Sequence, residues 1–329
     1  MSRRLVDALA RRPVDRTPVW IMRQAGRYLP EYRELRSRHS FQEAVSTPAV
    51  AAEITLQPIR RFGMDGAVIF ADIMTPLEAM GVGMTFDPGP KLRPHTLAEV
   101  IALPELDPDR VGFVGETIRR VRVEVEDETA VIGFAGAPTT LLAYLVEGGG
   151  SKEFMELRSA IRADPAAAQA ALDSLGRAMQ SYLAMQANAG ADVLQLFDTW
   201  AGLFDRETYQ QLCLPAAQTA LADLEVPTIY FAPGAGHTLD LQPGVGADAY
   251  GVDWRIPIDE AWDRLGDVAI QGNVDPAVLR ASVADIEASV ADVRARVGDR
   301  PGHVMNLGHG IDRHTPVESV AAFVAAVRS

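Results

Sequence analysis

Arginine and aspartate side chains occur where buried, strand-like runs end. Arg23 and Arg27 follow the apolar run 18–22, and Asp72 follows the run 66–70. A guanidinium group binds carboxylates through paired donors and stays charged at any working pH. A carboxylate that emerges from an apolar wall can act as a base, hold a cation or accept hydrogen bonds from ligand N–H groups. The pattern predicts a site for a ligand that bears carboxylates.

The residue types also allow structural interpretations. Arg33 and Arg36 lie further along, in an amphipathic helical pattern where arginines often pair with acidic surface residues. Asp72 could equally cap the turn toward Thr75 and Pro76. The residues alone leave these alternatives open.

Several common catalytic motifs are missing from the sequence. His303, His309 and His314 fit neither H-x-x-x-H nor H-E-x-x-H, so we expect no bound metal. The run 148–152, Gly-Gly-Gly-Ser-Lys, follows a helical pattern and lacks P-loop spacing. There is no G-x-S-x-G elbow, and no G-x-G-x-x-G follows the first predicted strand, which disfavours a dinucleotide site.

Composition excludes other classes of function. The chain has 329 residues and a net charge of −13, so we expect no general affinity for nucleic acid or for a membrane surface. The cationic exception is the segment 1–38, with ten arginines against four acidic residues. A single cysteine, Cys213, rules out an intramolecular disulfide and favours the cytoplasm. We expect no targeting segment and no membrane span.

The elements that must position these residues alternate along the chain. Eight Val-, Ile- and Phe-rich runs predict strands at 18–22, 66–70, 130–134, 192–197, 227–231, 249–252, 268–271 and 303–306. The clearest helical patterns cover 47–62, 165–189, 206–224, 257–265, 283–297 and 316–329. Eight repeats predict an α/β fold, a (β/α)₈ TIM barrel, in preference to a doubly wound open sheet.

One proline-rich stretch interrupts the alternation. Residues 84–110 contain five prolines and predict a long insertion after the second strand, not a linker between domains. We therefore predict a single domain over residues 1–329. Because functional groups of such barrels cluster beyond the carboxyl ends of the strands, the candidate positions are 23–28, 72, 133–138, 197–200, 234–237, 253–255, 272–273 and 306–310.

At these positions the sequence resembles the uroporphyrinogen decarboxylase family. The similarity lies in PVWIMRQAGRYLPEYR at 18–33, FADI at 70–73, IGFAGAP at 132–138, YLVEGGG at 144–150, LQLFD at 194–198, QGN at 271–273 and NLGHG at 306–310. Together these segments extend from about residue 14 to the C-terminus.

The resemblance implies a cofactor-free enzyme. Members convert the four acetate side chains of uroporphyrinogen to methyl groups, which gives coproporphyrinogen and CO₂ in haem biosynthesis. They are barrels, usually homodimers with facing clefts, and they need neither a metal nor an organic cofactor. A protonated pyrrole of the substrate serves as the electron sink that a cofactor such as pyridoxal phosphate supplies elsewhere.

The resemblance also implies roles for individual residues. Asp72 would accept hydrogen bonds from the pyrrole N–H groups and stabilise the cationic intermediate. Arg23 and Arg27 would hold substrate carboxylates, with Arg23 also a proton-donor candidate, although a guanidinium is a poor general acid. Tyr144 would contact the reacting carboxylate. The remaining pocket residues would be Gln24, Ala25, Gly26, Arg36, Phe197, Thr199 and His309.

The sequence departs from the family pattern at two positions and leaves two rival functions. Thr139 replaces a usual aromatic residue, which affects the expected cleft wall, and Thr199 replaces a common serine but keeps a hydroxyl. One rival is a corrinoid-linked methyltransferase of the same fold, which uses zinc held by His and Cys; the single Cys213 disfavours it. The other rival is a tetrapyrrole carrier without turnover.

Overall fold

A parallel sheet forms the centre of the protein. The computed structural model describes residues 3–86 and 89–329. Its strands are β1 Gly66–Val68, β2 Met84–Phe86, β3 Pro90–Leu92, β4 Ala130–Gly136, β5 Val193–Phe197, β6 Thr228–Phe231, β7 Ala249–Gly251, β8 Ala269–Gln271 and β9 His303–Val304. In the described residues the large sheet has the order β1-β4-β5-β6-β7-β8-β9, and each neighbouring pair is parallel. Chain order around the sheet is what successive βα units produce.

A short bridge at Val19 closes this sheet into a barrel. Val19 pairs in parallel with Met305, directly after β9, and its carbonyl accepts a hydrogen bond from the Asp65 N–H, directly before β1, at 2.9 Å. The barrel class is thus confirmed, but the five-residue strand predicted at 18–22 is wrong in extent. Pro18 has no N–H to donate, and by Ile21 the chain already turns, so the ladder is short.

Helices surround the sheet. They are α1 Arg4–Leu9, α2 Pro30–Arg36, α3 Phe41–Ser46, α4 Pro48–Phe62, α5 Thr75–Ala79, α6 Leu97–Ile101, α7 Gly112–Glu124, α8 Pro138–Glu147, α9 Met155–Ala163, α10 Pro165–Asn188, α11 Arg206–Thr208, α12 Leu214–Leu221, α13 Ile258–Leu265, α14 Val283–Val297 and α15 Val317–Arg328. The helix predicted at 206–224 is interrupted by a π-helical turn at Tyr209–Cys213. Pro215 follows that turn and cannot donate to the carbonyl four residues earlier, which favours the altered register.

Alternate residues of the strands belong to two apolar layers. In β4, Ala130 and Ile132 pack inside the barrel with Val193 and Ile229 of the neighbouring strands. Val131, between them, packs outward against the helices in the larger cluster. This period of two is the side-chain alternation of a strand buried on both faces.

Helix α1 covers the end of the barrel where the strands begin. Leu5, Ala8 and Leu9 of α1 belong to the inner apolar layer. Arginines around α1 pair with aspartates near the strand starts, in the pairs Arg3–Asp192, Arg4–Asp65, Arg16–Asp65 and Arg11–Asp267. Much of the N-terminal positive charge therefore holds α1 against the barrel.

The predicted insertion carries a hairpin that braces α8. Strands β2 and β3 are antiparallel, with Met84 opposite Leu92. The Leu92 N–H donates to the Gly148 carbonyl at 3.1 Å, and the His95 N–H donates to the Leu145 carbonyl at 2.8 Å. The insertion thus satisfies carbonyls at the C-terminal end of α8. Among the residues described, no helix is long and apolar enough to span a membrane.

Asp65 holds the segment 18–22, which closes the barrel and is called the closing segment below. Removing the Asp65 carboxylate should lower the stability of the fold. Its buried carboxylate accepts hydrogen bonds from the Val19 N–H at 2.9 Å and from Arg16 at 2.7 and 2.8 Å. We expect Asp65→Ala to lower the free energy of unfolding by about 3 kcal/mol, because it leaves a partly buried guanidinium and a buried N–H unpaired. Urea unfolding followed by circular dichroism measures this loss.

Asp15→Ala is the matched control for that experiment. Asp15 accepts two hydrogen bonds from Arg4, but its side chain is 63% exposed. Exposed pairs contribute less than about 1 kcal/mol. Equal, small effects of both substitutions would show that Asp65 does not fasten the barrel.

Candidate active site

Arg23 lies where the closing segment leaves the barrel, in a backbone conformation fixed by Gln24. Its φ is +64°, in the left-handed region. The Gln24 side chain accepts from the Ile21 N–H at 3.1 Å and donates to the Gly66 carbonyl at 2.8 Å, while the backbone carbonyl of Gln24 accepts from the Tyr28 hydroxyl at 2.8 Å. Gln24 is fully buried and its polar groups are used internally. It positions Arg23 against β1, which leaves Ala25 and Gly26, both partly exposed, as the accessible part of this turn.

Arg23 and Arg27 keep their guanidinium groups available. Both side chains are exposed, and neither guanidinium group has an ion pair or a hydrogen bond within residues 3–86 and 89–329. Arg33 differs, since it donates to the carbonyls of Arg27 and Tyr28 at 2.9 and 3.0 Å and shapes the loop that carries Arg27. The structural interpretation therefore fits Arg33, and the ligand-binding interpretation fits Arg23 and Arg27.

The loop after β9 leaves room for Arg23 at the mouth of the barrel. A Cβ atom on Gly310 would lie 2.7 Å from the Arg23 Cδ, closer than real Cβ contacts allow. Gly310 thus lets the arginine lie against this loop.

Asp72 caps a turn with one carboxylate oxygen and leaves the other directed to no protein group described. One carboxylate oxygen accepts from the Met74 N–H at 2.8 Å, which caps the turn into α5. The other oxygen has no hydrogen-bond partner among the described residues. Burial raises the pKa of Asp72, the Met74 hydrogen bond and the charge of Arg23 oppose the rise, and Glu78 adds to it. A desolvated carboxylate with one free oxygen is suited to accept N–H groups of a ligand.

Tyr144 lies on α8 beside the same site. Burial raises the pKa of its hydroxyl, the charge of Asp72 adds to the rise, and Arg23 opposes it. Asp72, Arg23 and Tyr144 are therefore close enough to influence one another. The Tyr144 ring meets the Trp200 ring edge-on, with centroids 6.2 Å apart, and Thr199 lies partly exposed in the loop just before Trp200.

A buried carboxylate behind Tyr144 joins α8 to the loop after β5. Asp198 accepts from the hydroxyls of Thr140 at 3.1 Å and Tyr230 at 2.8 Å. The Thr140 hydroxyl oxygen accepts in turn from the backbone N–H of Trp200 at 3.2 Å. Burial raises the pKa of Asp198 to about 6, and the two hydroxyl donors limit the rise. This network fixes the start of α8 relative to Trp200, and so the direction of Tyr144.

Three phenylalanines form an apolar floor beneath the mouth. Phe197 of β5 packs edge-on against Phe134 of β4 at 5.6 Å and Phe231 of β6 at 6.3 Å between centroids. Phe134 and Phe197 are partly exposed. An apolar ligand body fits such a surface while its charged groups reach the rim.

Arg36 borders the site through an aromatic cluster. It donates to the His39 carbonyl, and its guanidinium carbon lies 5.7 Å from the centroid of the Phe41 ring. Phe41 packs edge-on against Phe70 at 5.9 Å, two residues before Asp72. Arg36 is half-buried and partly engaged, so its position beside the site is clear and its availability is lower than that of Arg23.

His309 lies on the other side of the mouth. Its ring meets the Trp254 ring edge-on at 6.1 Å between centroids. Burial lowers the pKa of His309, and the positive charges of Arg23 and Arg255 lower it further, while Asp253 opposes them. The imidazole is thus neutral at pH 7 and can donate or accept a hydrogen bond.

His303, His314 and Cys213 lie away from the mouth. His303 is buried behind β9 against the Gly272 carbonyl, and His314 is exposed beside Arg313. Cys213 is buried in the outer apolar layer. Across residues 3–86 and 89–329, no three His, Cys, Asp or Glu side chains are grouped as metal ligands.

Thr139, the departure from the family pattern, is also buried in the outer layer. It is 2% exposed and contacts Cys213. The structure therefore places it behind the barrel and not on the cleft wall that the resemblance suggested.

The candidate residues from distant parts of the sequence thus meet at one rim. Arg23, Asp72 and Tyr144 form one group, and His309 lies within electrostatic reach of Arg23. Sequence reasoning did not select Trp200, Trp254 or Arg255 individually, although all three lie at predicted strand ends. Their contacts with Tyr144 and His309 are long-range, and strand-end position was the available signal.

Fold and site together define an α/β barrel whose mouth carries exposed arginines beside a desolvated carboxylate. The family described as uroporphyrinogen decarboxylase (URO-D) matches residues 2–329. The chain belongs to that family.

Relatives of that name align over nearly their full length. The uroporphyrinogen decarboxylase of Syntrophotalea carbinolica is 44% identical over 329 residues, covering 98% of this chain and 96% of the relative. That of Chromohalobacter salexigens is also 44% identical, over 338 residues, with the same coverage. Among solved structures, a methyltransferase from Methanosarcina mazei superposes with a TM-score of 0.80 at 23% identity, covering 99% of this chain and 97% of that chain. At that identity the likeness concerns the fold.

Neutralising Asp72 should stabilise the protein at neutral pH. Because the fold raises the pKa of Asp72, its ionised form costs stability above the folded-state pKa, and this cost vanishes below the unfolded value of about 3.9. We expect Asp72→Asn, which can still accept from Met74, to raise the urea midpoint at pH 7, with the difference from the original protein shrinking as the pH falls toward 4. A lower midpoint at pH 7 would contradict the desolvation of this carboxylate.

Proposed function

We propose that this chain is a uroporphyrinogen decarboxylase that converts four acetate side chains of uroporphyrinogen to methyl groups, releasing CO₂ and coproporphyrinogen. The observation that carries the proposal is that a desolvated Asp72 carboxylate and the Arg23 guanidinium, which has no ion pair among the described residues, influence one another at one rim. The substrate has complementary chemistry, with inward pyrrole N–H groups and outward carboxylates. Family membership and the names of full-length relatives support the same activity.

The reaction needs a place for the electrons of the broken C–C bond. Protonation of a pyrrole carbon gives a cationic ring, and the acetate arm then loses CO₂ while its bonding electrons enter the ring. A proton is taken up at the methylene carbon, and loss of the first proton restores the pyrrole. The net change for each arm is one carboxylate and one proton consumed, one methyl group and one CO₂ formed.

Asp72 stabilises this cation electrostatically. Its free oxygen accepts pyrrole N–H groups, and the ring's positive charge is offset by a carboxylate that already lies in a desolvated site. The oxygen bound to Met74 fixes the carboxylate's direction before substrate arrives. Little reorganisation is then needed when the charge forms.

The arginines and Tyr144 hold the substrate's carboxylates. Arg23 and Arg27 have unused paired donors for acetate and propionate groups. Tyr144 lies within reach of Asp72 and contacts the reacting carboxylate, while Thr199 and His309 bind neighbouring groups. Arg23 is also a candidate source of the proton, although its high pKa makes it a weak acid.

A corrinoid-linked methyltransferase of the same fold is the alternative function. Such an enzyme activates a thiol with a zinc ion that His and Cys hold together. Here Cys213 lies in the outer apolar layer and His309 lies at the mouth. A carrier without turnover has no use for a desolvated carboxylate that costs stability. The separation of Cys213 from His309 and the desolvation of Asp72 both favour the decarboxylase.

The proposal extends to the state of the protein. The chain forms a single domain over residues 1–329 and a homodimer whose clefts face each other. It acts in the cytoplasm. It takes a small-molecule substrate and requires neither a metal nor an organic cofactor. Gel filtration with light scattering measures the oligomeric state.

Product analysis tests the function directly. The purified protein is incubated anaerobically with uroporphyrinogen, without added metal, and the oxidised products are separated by the number of carboxylates they keep. Stepwise loss of four carboxylates is expected. No loss, with methyl transfer to a thiol on addition of zinc and a methyl donor, would support the methyltransferase instead.

Asp72→Asn should keep substrate binding and lose turnover. The amide still accepts hydrogen bonds but carries no charge to offset the pyrrole cation. We expect kcat to fall by about 10²–10³-fold with KM changed only a few-fold. Asp263→Asn, at an exposed surface pair with Arg300, is the control and should leave both constants unchanged. Near-normal kcat for Asp72→Asn would disprove the electrostatic role.

A further inference from the structure

A third cationic side chain, Arg255, reaches the mouth from the loop after β7. Its guanidinium carbon lies 4.0 Å from the centroid of the Trp254 ring, and its side chain is 55% exposed. Stacking on an indole fixes a guanidinium plane while leaving its edges open for hydrogen bonds. Arg255 is therefore ordered and accessible at once.

Asp253 orients Arg255 without using up its donors. The buried Asp253 carboxylate accepts from the backbone N–H groups of Gly234 and Arg255, the latter at 2.8 Å, and contacts one terminal nitrogen of Arg255 at 3.2 Å. The Asn273 amide donates to the Asp253 carbonyl at 3.0 Å and anchors the loop. A guanidinium has five N–H donors, so most of those of Arg255 stay free.

Arg255 does not stand alone at this side of the mouth. The loops after β7 and β9 pack backbone against backbone at Gly308. A Cβ atom on Gly308 would clash with the backbone nitrogen of Trp254, so only glycine fits there. His309 follows Gly308, and its pKa is lowered by burial and by the charges of Arg23 and Arg255, with Asp253 opposing them. Potential hydrogen-bond donors on Arg23, His309 and Arg255 thus lie around the loop after β9, with His309 and Arg255 both against Trp254.

This cluster lies across the mouth from the proposed reaction centre. Strand β7 is separated from β1 by β4, β5 and β6 on one side of the sheet and by β8 and β9 on the other. Asp72 follows β1, and Tyr144 lies on the helix after β4. Arg23, on the closing segment between β9 and β1, influences both Asp72 and His309 electrostatically.

We propose that Arg255, held by Trp254 and Asp253, forms with His309 and Arg23 a second binding site for a carboxylate, which takes a side chain of the tetrapyrrole that is not reacting. The assignment rests on the proposed function. It makes Arg255 a specificity residue that favours ligands with carboxylates on opposite edges. An acetate awaiting its turn and a propionate offer the same chemistry there.

A titration tests the geometry of the cluster independently of activity. Imidazole C–H signals are followed by NMR as a function of pH in the original protein, in Arg255→Gln and in Arg294→Gln, with His309→Gln used to identify the signal. Loss of the Arg255 charge should raise the pKa of His309. Arg294, exposed on the outer helix α14, should have no effect. An unchanged His309 titration in Arg255→Gln would overturn the cluster.

Ligand binding and turnover test its role. Fluorescence titration with uroporphyrin should give a dissociation constant about tenfold higher for Arg255→Gln, and the loss of activity on uroporphyrinogen should appear mainly in KM. Arg255→Lys should recover only part of the affinity, because an ammonium lacks the paired donors. Equal affinity of Arg255→Gln and the original protein for uroporphyrin would overturn the proposal.

The ligand can be varied to identify the bound group. If coproporphyrin, which keeps only propionates, is weakened as much as uroporphyrin, the site binds a propionate. If only uroporphyrin is weakened, the site binds an acetate. If the original protein binds uroporphyrin but does not decarboxylate uroporphyrinogen, the proposed function fails while the carboxylate site stands.

Discussion

The mouth of the barrel depends on how the chain closes the sheet before β1. The Asp65 carboxylate binds the Val19 N–H, and the Gln24 amide spans from Ile21 to the Gly66 carbonyl. These buried polar contacts place a short segment between β9 and β1 where few ladder hydrogen bonds are available. Arg23 follows this segment at the mouth. The closure therefore sets the position from which its charge influences both Asp72 and His309. Buried, satisfied polar networks of this kind specify one arrangement.

Arginines at the two ends of the barrel have different roles: those at one end stabilise the fold, and those at the other are available to bind a ligand. Arginines around α1 are paired with aspartates at the closed end of the barrel. At the open end, Arg23 and Arg27 have no such partners among the residues the structure describes. The chain as a whole carries −13, so attraction for an anionic ligand is local to the mouth, and screening limits its range to about 10 Å at 0.1 M salt. A compact polyanion with an apolar body suits this combination better than an extended one.

The sequence predicts the parts of this protein that depend on local periodicity. Strands β5 to β9 lie within the predicted runs, and β4 starts where predicted and extends two residues further, because two-sided burial leaves a continuous apolar signal. The closing strand is shorter than predicted, because Pro18 has no N–H to donate and the chain already turns by Ile21. The sequence does not reveal this length, since the strand's partners at Asp65 and Met305 are distant in the chain. The strand-end rule found Arg23 and Asp72. It could not show that Gln24 is consumed internally, since that depends on the Gly66 carbonyl.

The central claim is that the protein's own side chains, with Asp72 and Arg23 at the centre of the site, and the substrate's own pyrrole carry out decarboxylation without a metal or an organic cofactor. The most direct measurement is the amount of CO₂ released per molecule of uroporphyrinogen under anaerobic conditions, with enzyme in excess and a metal chelator present. The account predicts four CO₂ per molecule, at the same rate with and without chelator. Release of none, or release that depends on an added metal or cofactor, would contradict it.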